Sequence, residues 1–274
     1  MNNIVLTRVV TCYNQWNLIS RWVENKQLYG EMIEWIIVDD CPSSPPPLEI
    51  RCILEQHRIG VISPAFNLGR SRARNLGASF ANGTWIEFID GDDVPLTVDL
   101  NCLHPTAKLV IFPVLEFPEN EILPPPQYDK IEIKSNWSGF LPKLHPVDVR
   151  PAALIWRISF FKETTGFDAR FDGGEDFELM VRANCLSPQV HRHDCPKQAY
   201  RRREGNLSLG RLYIESHIKL FEHHFIKSTE ATISKQANIF LGKEYLFSAY
   251  THGKLLLMNS GKITRFVILR IFGI

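Results

Sequence analysis

The chain has 274 residues, 31 Lys+Arg against 30 Asp+Glu, a formal net charge of +1 and 45% hydrophobic residues. That composition supports a substantial core and excludes wholesale disorder. Near-neutrality argues against a general nucleic-acid binder, which carries a marked basic excess, and the length allows one large domain with an appendage or two small ones.

Residues 7–12 (TRVVTC) and 35–40 (WIIVDD) read as buried strands, and between them Trp16, Ile19 and Val23 recur at helical spacing. After Asp40 the stretch CPSSPPP is a loop by composition, followed by a short helix over Leu48–Gln56 and a third strand in RIGVIS, residues 58–63. A helix is expected from Gly69 to Asn82, with Ala73, Leu76, Gly77 and Phe80 on one face and Gly83 as its C-terminal stop. TWIEFID (84–90) is the next strand. Strands alternating with helices imply a mostly parallel sheet covered on both faces.

Beyond Pro95 the pattern changes. KLVIFPVLEF (108–117) and DKIEIKS (129–135) read as strands joined by the proline-rich FPENEILPPPQ, and AALIWR (152–157) as another strand. A helix is expected from Glu175 to Leu186, and from about Leu212 the chain turns helical and amphipathic. Its tail, ITRFVILRIFGI preceded by Lys262, is apolar apart from Lys262, Arg265 and Arg270. Such a segment suits either an anionic membrane surface or a docked final helix.

Six cysteines (Cys12, Cys41, Cys52, Cys102, Cys185 and Cys195) stand singly without CxxC spacing, the pattern of reduced thiols in a cytosolic protein rather than of a zinc site. The start MNNIVLTRVVTCYN lacks a signal-peptide pattern, and no apolar run reaches the roughly eighteen residues of a membrane span. HRHDC (191–195) alternates as a strand with side chains on both faces, and a metal site is not expected there.

The most informative segment is TWIEFIDGDD, a buried-strand pattern that ends in Asp90, Asp92 and Asp93. Carboxylates gathered at a strand end repel one another unless a cation lies between them. That points to Mg²⁺ or Mn²⁺, hard ions that share oxygen ligands with phosphates. A polar turn would use the same residue types, but Thr11–Asn14 and Asp39–Asp40 fall at carboxyl ends of strands too. In open α/β sheets ligands sit on that rim.

VVTCYN, WIIVDDCPS, NLGRSRARNLGASFANGTWIEFIDGDD and GFDARFDGGEDFELMVRA, in that order over residues 5 to about 208, resemble the family 2 glycosyltransferases of the GT-A fold. The resemblance implies a mostly parallel, Rossmann-like central sheet flanked by helices. It implies a GT-A domain over 1–210, divided into a nucleotide-binding half (1–95) and an acceptor half (96–210). Residues 211–274 would form a C-terminal helical extension able to touch a membrane. The implied activity is metal-dependent, inverting transfer of a sugar from a nucleotide diphosphate-sugar, a UDP-sugar first, to a hydroxyl of a glycan or lipid-linked acceptor. The implied setting is bacterial surface polysaccharide or lipid-linked glycan synthesis, in the cytoplasm or peripherally on the inner face of the cell membrane. No nucleic-acid partner is implied.

Residue by residue, Thr11 and Tyr13 correspond to the family's base-holding positions, where a phenol ring offers a flat stacking face and Thr a small hydrogen-bonding group. Asp40 resembles the acid that binds base or ribose, and Asp39 could serve instead. Arg70, Arg72 and Arg74 surround a helix N-terminus, placing cations and unpaired N–H groups near a diphosphate, with Arg74 the first choice for contact. Asp90 and Asp92 form the DxD signature. Asp92, with Asp90, would hold a divalent ion (Mn²⁺ or Mg²⁺) that bridges the donor phosphates, while Asp93 caps the following turn. Carry-over from the ED motif makes Asp176 the general base and Glu175 the residue that positions the acceptor, although acids are also favoured in any first helical turn. In YRRREGNLS, Arg202 or Arg203 would close over the diphosphate. Many relatives carry a metal-binding His in that region, and Arg203 or Glu204 stands there here, which leaves the third metal contact open. Residues 94–150 match the family only loosely.

Two other readings compete. A sugar-1-phosphate nucleotidyltransferase would want a glycine-rich loop after the first strand, and VVTCYNQ has no glycine. A non-catalytic nucleotide-sugar-binding domain would fit the loss of Asp92 or Asp176, and both are present.

Overall fold

The computed structural model describes residues 4–25, 28–118, 153–171, 173–186, 188–193, 195–202 and 223. Its centre is a seven-stranded sheet. The first strands are β1 (Leu6–Cys12), β2 (Ile33–Asp39), β3 (Gly60–Ile62) and β4 (Trp85–Asp90), all mutually parallel, with β1 between β2 and β4. Cover on both faces explains why β1, LTRVVTC, is buried along nearly its whole length, Thr7 and Arg8 included.

Helix α1 (Trp16–Val23) buries Trp16, Ile19, Trp22 and Val23 and meets α2 (Leu48–Gln56), which contributes Ile50 and Leu54; both cover the face bearing Val10, Ile37 and Ile89. Helix α3 (Arg70–Phe80) covers the opposite face, packing the small residues Ala73, Gly77 and Ala78 against Val9 and Val38. Its inward residues are Ser71, Ala73, Arg74, Gly77 and Ala78, while Phe80 is 57% exposed and not on the packed face.

The expected glycine stop of that helix is absent. The helix ends at an extended Ala81, and Gly83 instead meets β1 so closely that an added Cβ would lie 2.7 Å from the Thr7 amide nitrogen. Its own N–H donates to the Thr7 hydroxyl at 2.9 Å. Gly83 therefore serves close backbone approach rather than a left-handed turn.

Beyond β4 come β5 (Val94–Pro95), β6 (Leu109–Ile111), β7 (Leu115–Pro118) and β8 (Leu154–Arg157), then α4 (Ile158–Glu163), α5 (Glu175–Cys185), β9 (Val190–Arg192) and β10 (Gln198–Arg202). Among the described residues the main sheet has the order β3-β2-β1-β4-β8-β6-β9, in which β8 alone runs antiparallel to its neighbours. The two halves expected to meet near residue 95 thus share one sheet. KLVIFPVLEF is not one strand: it divides at Phe112–Val114 into β6 of the main sheet and β7 of a separate sheet, β5-β10-β7. Pro113 has no N–H for a ladder and sits at that break.

AALIWR is β8 and the helix expected from Glu175 is α5, which ends at Cys185. HRHDC begins on β9, where His191 stacks on His104 at 4.7 Å and His193 lies against Phe112. The strand expected at DKIEIKS and the helical extension over 211–274, apart from residue 223, lie outside the described residues. Among the described residues no helix is long and apolar enough to cross a membrane.

Candidate active site

The sheet register brings the rim residues together. Thr11 pairs with Val38 on one side and Asp90 on the other, and Cys12 pairs with Asp39. Past these ends, Gly91 lies so close to β1 that a Cβ would meet the Thr11 carbonyl oxygen at 2.9 Å and Gln15 Oε1 at 2.6 Å. Its N–H donates to Thr11 O at 2.8 Å. The middle residue of DGD is therefore glycine because the turn lies against the end of β1. Thr11 Oγ1 donates to Asp90 Oδ1 at 3.4 Å. Tyr13 follows β1 with 60% of its surface exposed, as a ring that stacks on a ligand requires.

The two acids after β2 separate. Asp40 accepts from Leu68 N at 2.6 Å, Gly69 N at 3.0 Å and Asn67 Nδ2 at 3.0 Å. An anion of the protein's own thus stands just before α3, where Asp40 holds the NLG loop. Asp39 is also buried and accepts from Cys41 N at a long 3.4 Å. Burial pushes its carboxyl above the ordinary range.

The arginines also separate. Arg74 is 1% exposed, with Nη1 donating to Glu175 Oε1 at 2.7 Å and Nη2 to Asp90 Oδ1 at 2.6 Å. Its guanidinium lies over Phe167 at 5.1 Å. In this arrangement Arg74 is committed to carboxylates, not turned to a diphosphate as the sequence suggested. Arg70, one turn earlier and 39% exposed at the side chain, reaches Glu175 at 3.4 Å and is the cation nearer solvent. Arg72 is exposed and turned back toward Leu68 O.

Asn75, the last letter of RARN, donates to Phe167 O at 2.8 Å and accepts from Phe167 N at 2.9 Å, fixing the loop before α5. Sequence reasoning had no role for Asn75 or Asn67; their position inside the motif was the available signal.

At α5, Gly174 adopts φ +78°, a left-handed conformation that favours glycine, and Glu175 and Asp176 follow in the first turn. Glu175 is 2% exposed. Burial opposes its ionisation, but Arg74 and Arg70 outweigh that and hold it below the usual carboxylate range. Asp90 is held low in the same way. Asp176 is partly buried and accepts from Phe177 N at 2.7 Å. Burial, then repulsion by Glu175, pushes it up to about 7.

Asp93 is buried and accepts from Gln198 Nε2 at 2.7 Å and Arg201 N at 3.2 Å, while Arg201 Nε donates to Asp92 O at 3.1 Å. It joins the DGDD turn to β10. Burial, then Asp92 and Asp90, raises its carboxyl well above the usual range. Asp92 is partly exposed. The Arg202 side chain and all of Arg203 lie outside the described residues.

Among the described residues no group of three or more His, Cys, Asp or Glu side chains forms a metal cage. Asp90 and Asp92 nevertheless fit Mg²⁺ or Mn²⁺ bound chiefly through substrate phosphates, which needs only one or two carboxylates.

Among the described residues, an α/β sheet with one antiparallel strand, a DGD turn on its carboxyl-end rim and an acidic pair facing it from a later helix define a GT-A type domain. Two solved structures share the fold. TarS 1-349 of S. aureus in complex with UDP-GlcNAc has a TM-score of 0.60 at 15% identity, with 98% of this chain and 82% of that one covered. The mannosyltransferase PcManGT from Pyrobaculum calidifontis in complex with GDP-Man and Mn²⁺ has a TM-score of 0.60 at 14% identity, covering 97% and 79%.

Residues 7–103 match the model of glycosyl transferase family 2. The succinoglycan biosynthesis protein ExoO of Rhizobium meliloti (strain 1021) is 35% identical over 89 residues, 32% of this chain. The match spans 25% of the length of that curated relative.

Proposed function

We propose that the protein is a metal-dependent, inverting glycosyltransferase that moves a sugar from a nucleotide diphosphate-sugar, a UDP-sugar, to a hydroxyl of a glycan or lipid-linked acceptor. The observation that carries this reading is the strand-end register that aligns Thr11 with Asp90 and Cys12 with Asp39, tied through Arg74 to the Glu175–Asp176 pair. Donor and acceptor chemistry thereby meet at one rim. The family match and the nucleotide sugars named for the two fold relatives support the donor class.

In this reading Tyr13 stacks on the base, Asp39 accepts from base or ribose, and Arg70 meets the diphosphate from the exposed side. Arg202 and Arg203 remain candidates to close over it. Asp92 and Asp90 would hold Mn²⁺ or Mg²⁺, which supplies charge neutralisation for the leaving diphosphate. Asp176 takes the proton of the acceptor hydroxyl as its oxygen bonds to the anomeric carbon. The bond from that carbon to the phosphate oxygen breaks on the opposite side, inverting the centre, and the diphosphate leaves with the electron pair. A base titrating near 7 is matched to neutral pH, and such assistance is worth about 10²–10⁴-fold. Glu175, turned to the arginines, orients that step from behind.

The setting proposed is surface polysaccharide or lipid-linked glycan synthesis at the cytoplasmic face of a membrane, with Lys262, Arg265 and Arg270 of the apolar tail meeting anionic lipid. Asp176→Asn tests the mechanism. It should keep Mn²⁺-dependent binding of the nucleotide diphosphate and lose transfer by about 10²-fold or more; near-native turnover would exclude Asp176 as the base.

A further inference from the structure

The GT-A reading leaves a buried cation with no direct task. We propose that Arg74 is a positioning residue that ties the first aspartate of the DGD turn to the acid pair of α5, so that one guanidinium sets the donor and acceptor sides together. The inference rests on the proposed transfer reaction for its meaning, but its geometry stands alone. The two terminal nitrogens of Arg74 reach carboxylates 85 residues apart in sequence, Asp90 at 2.6 Å and Glu175 at 2.7 Å. A planar fork can hold two carboxylates at once, whereas an ammonium is a point charge.

The surroundings keep the fork in place. Helix α3 is fixed by small residues against β1 and β2, Phe167 lies beneath the guanidinium, and Asn75 holds the Phe167 backbone from the next position. With both ends engaged and 1% exposure, Arg74 has no terminal nitrogen to offer a phosphate. That contact falls to Arg70, which also touches Glu175 but is open to solvent. Among the described residues the charged groups that act on Asp176 are Glu175 on its own helix and Arg74 and Arg70 on α3. Arg74 therefore acts on the proposed base through Glu175, by partly neutralising the anion beside it.

Two measurements on the full chain separate this role from direct donor contact. The first is calorimetric titration of UDP in the presence of Mn²⁺. The second is ¹³C NMR titration of the Asp176 carboxyl, which needs no substrate. Arg74→Gln should move the Asp176 midpoint up by about one pH unit, because Glu175 is then compensated by Arg70 alone, and should weaken Mn²⁺-dependent UDP binding by no more than about tenfold through a loosened Asp90. Arg74→Lys, which retains charge but not the fork, should move it less in the same direction. Glu175→Gln should move it down, an opposite sign that generic loosening of the loop would not produce, and this arm survives if Arg74→Gln does not fold. An Asp176 midpoint unmoved by Arg74→Lys and Arg74→Gln, or a loss of UDP affinity beyond about tenfold, would overturn the role. Absence of Mn²⁺-dependent UDP binding in the unaltered protein would instead strike the proposed function and leave the Asp176 result to decide this inference.

Discussion

Glu87→Gln should be among the most damaging single changes in the described structure, because Glu87 is an anion between two buried cations. Arg8 Nε lies 2.6 Å from one of its oxygens and Lys197 Nζ 2.7 Å from the other, with all three side chains no more than 1% exposed. Arg8 gains little elsewhere: Nη2 donates to Leu96 O at 2.8 Å, and the guanidinium lies over Trp35 at 4.9 Å. Burial pulls both cations toward their neutral forms, and Glu87 opposes that pull.

Neutralising the shared anion leaves two uncompensated buried charges, a class of change that costs about 3–5 kcal/mol. Lys197→Met leaves the Arg8–Glu87 pair and one orphaned acceptor, a loss of about 1–3 kcal/mol. Against a total stability of about 5–15 kcal/mol the difference is large. Urea unfolding followed by circular dichroism reads it. With an m-value of about 2 kcal/mol/M, Glu87→Gln should lower the midpoint by roughly 1.5–2.5 M and Lys197→Met by about 0.5–1.5 M. A Glu87→Gln midpoint within about 0.5 M of the parent, or a Lys197→Met loss as large as that of Glu87→Gln, would refute the reasoning.

Three further outcomes follow from the site. Asp176 keeps its proton up to about 7 when folded and releases it near the ordinary carboxylate value when unfolded, so its ionisation subtracts stability as pH rises across that window. Asp176→Asn should therefore raise the urea midpoint at pH 8 and leave it unchanged below the unfolded value; equal shifts at both pH values would contradict the assignment. Asp40→Asn should cost about 1–2 kcal/mol through loss of charge-assisted bonds to the NLG loop, while Asp39→Asn should weaken UDP binding with a smaller effect on stability. The reverse pattern in paired calorimetry and unfolding would return the nucleotide contact to Asp40. Deleting residues 262–274 should lower co-sedimentation with phosphatidylserine-containing liposomes, and an unchanged pellet fraction would sever the tail from the membrane.

Much of the fold is legible in the sequence because the first four strands and three helices carry clean local signals. The run WIIVDD ends one residue beyond β2, and Trp16, Ile19 and Val23 mark the buried face of α1. What was not legible depends on partners far along the chain. Nothing local shows that KLVIFPVLEF serves two sheets, or that β8 enters antiparallel. Arg8 reads as an oddity in an apolar strand until Glu87 and Lys197, 79 and 110 residues from their respective partners, close around it.

The same holds at the site. The motif places Asp40, Arg70, Arg74, Asp90 and Glu175 correctly in one region, but roles depend on side-chain direction. A carboxylate at a strand end can hold a loop from elsewhere in the chain, as Asp40 does, and a motif arginine can face inward, as Arg74 does. Residue type and spacing are identical for the inward and outward cases.

The central claim is a donor site in which Asp92 holds a divalent ion against a nucleotide diphosphate. Calorimetric titration of UDP into the full chain and into Asp92→Asn, each with and without excess Mn²⁺, tests it most directly. The account predicts UDP binding that requires Mn²⁺ in the parent and loses that requirement together with most of its affinity in Asp92→Asn. Unchanged Mn²⁺-dependent binding by Asp92→Asn would contradict it.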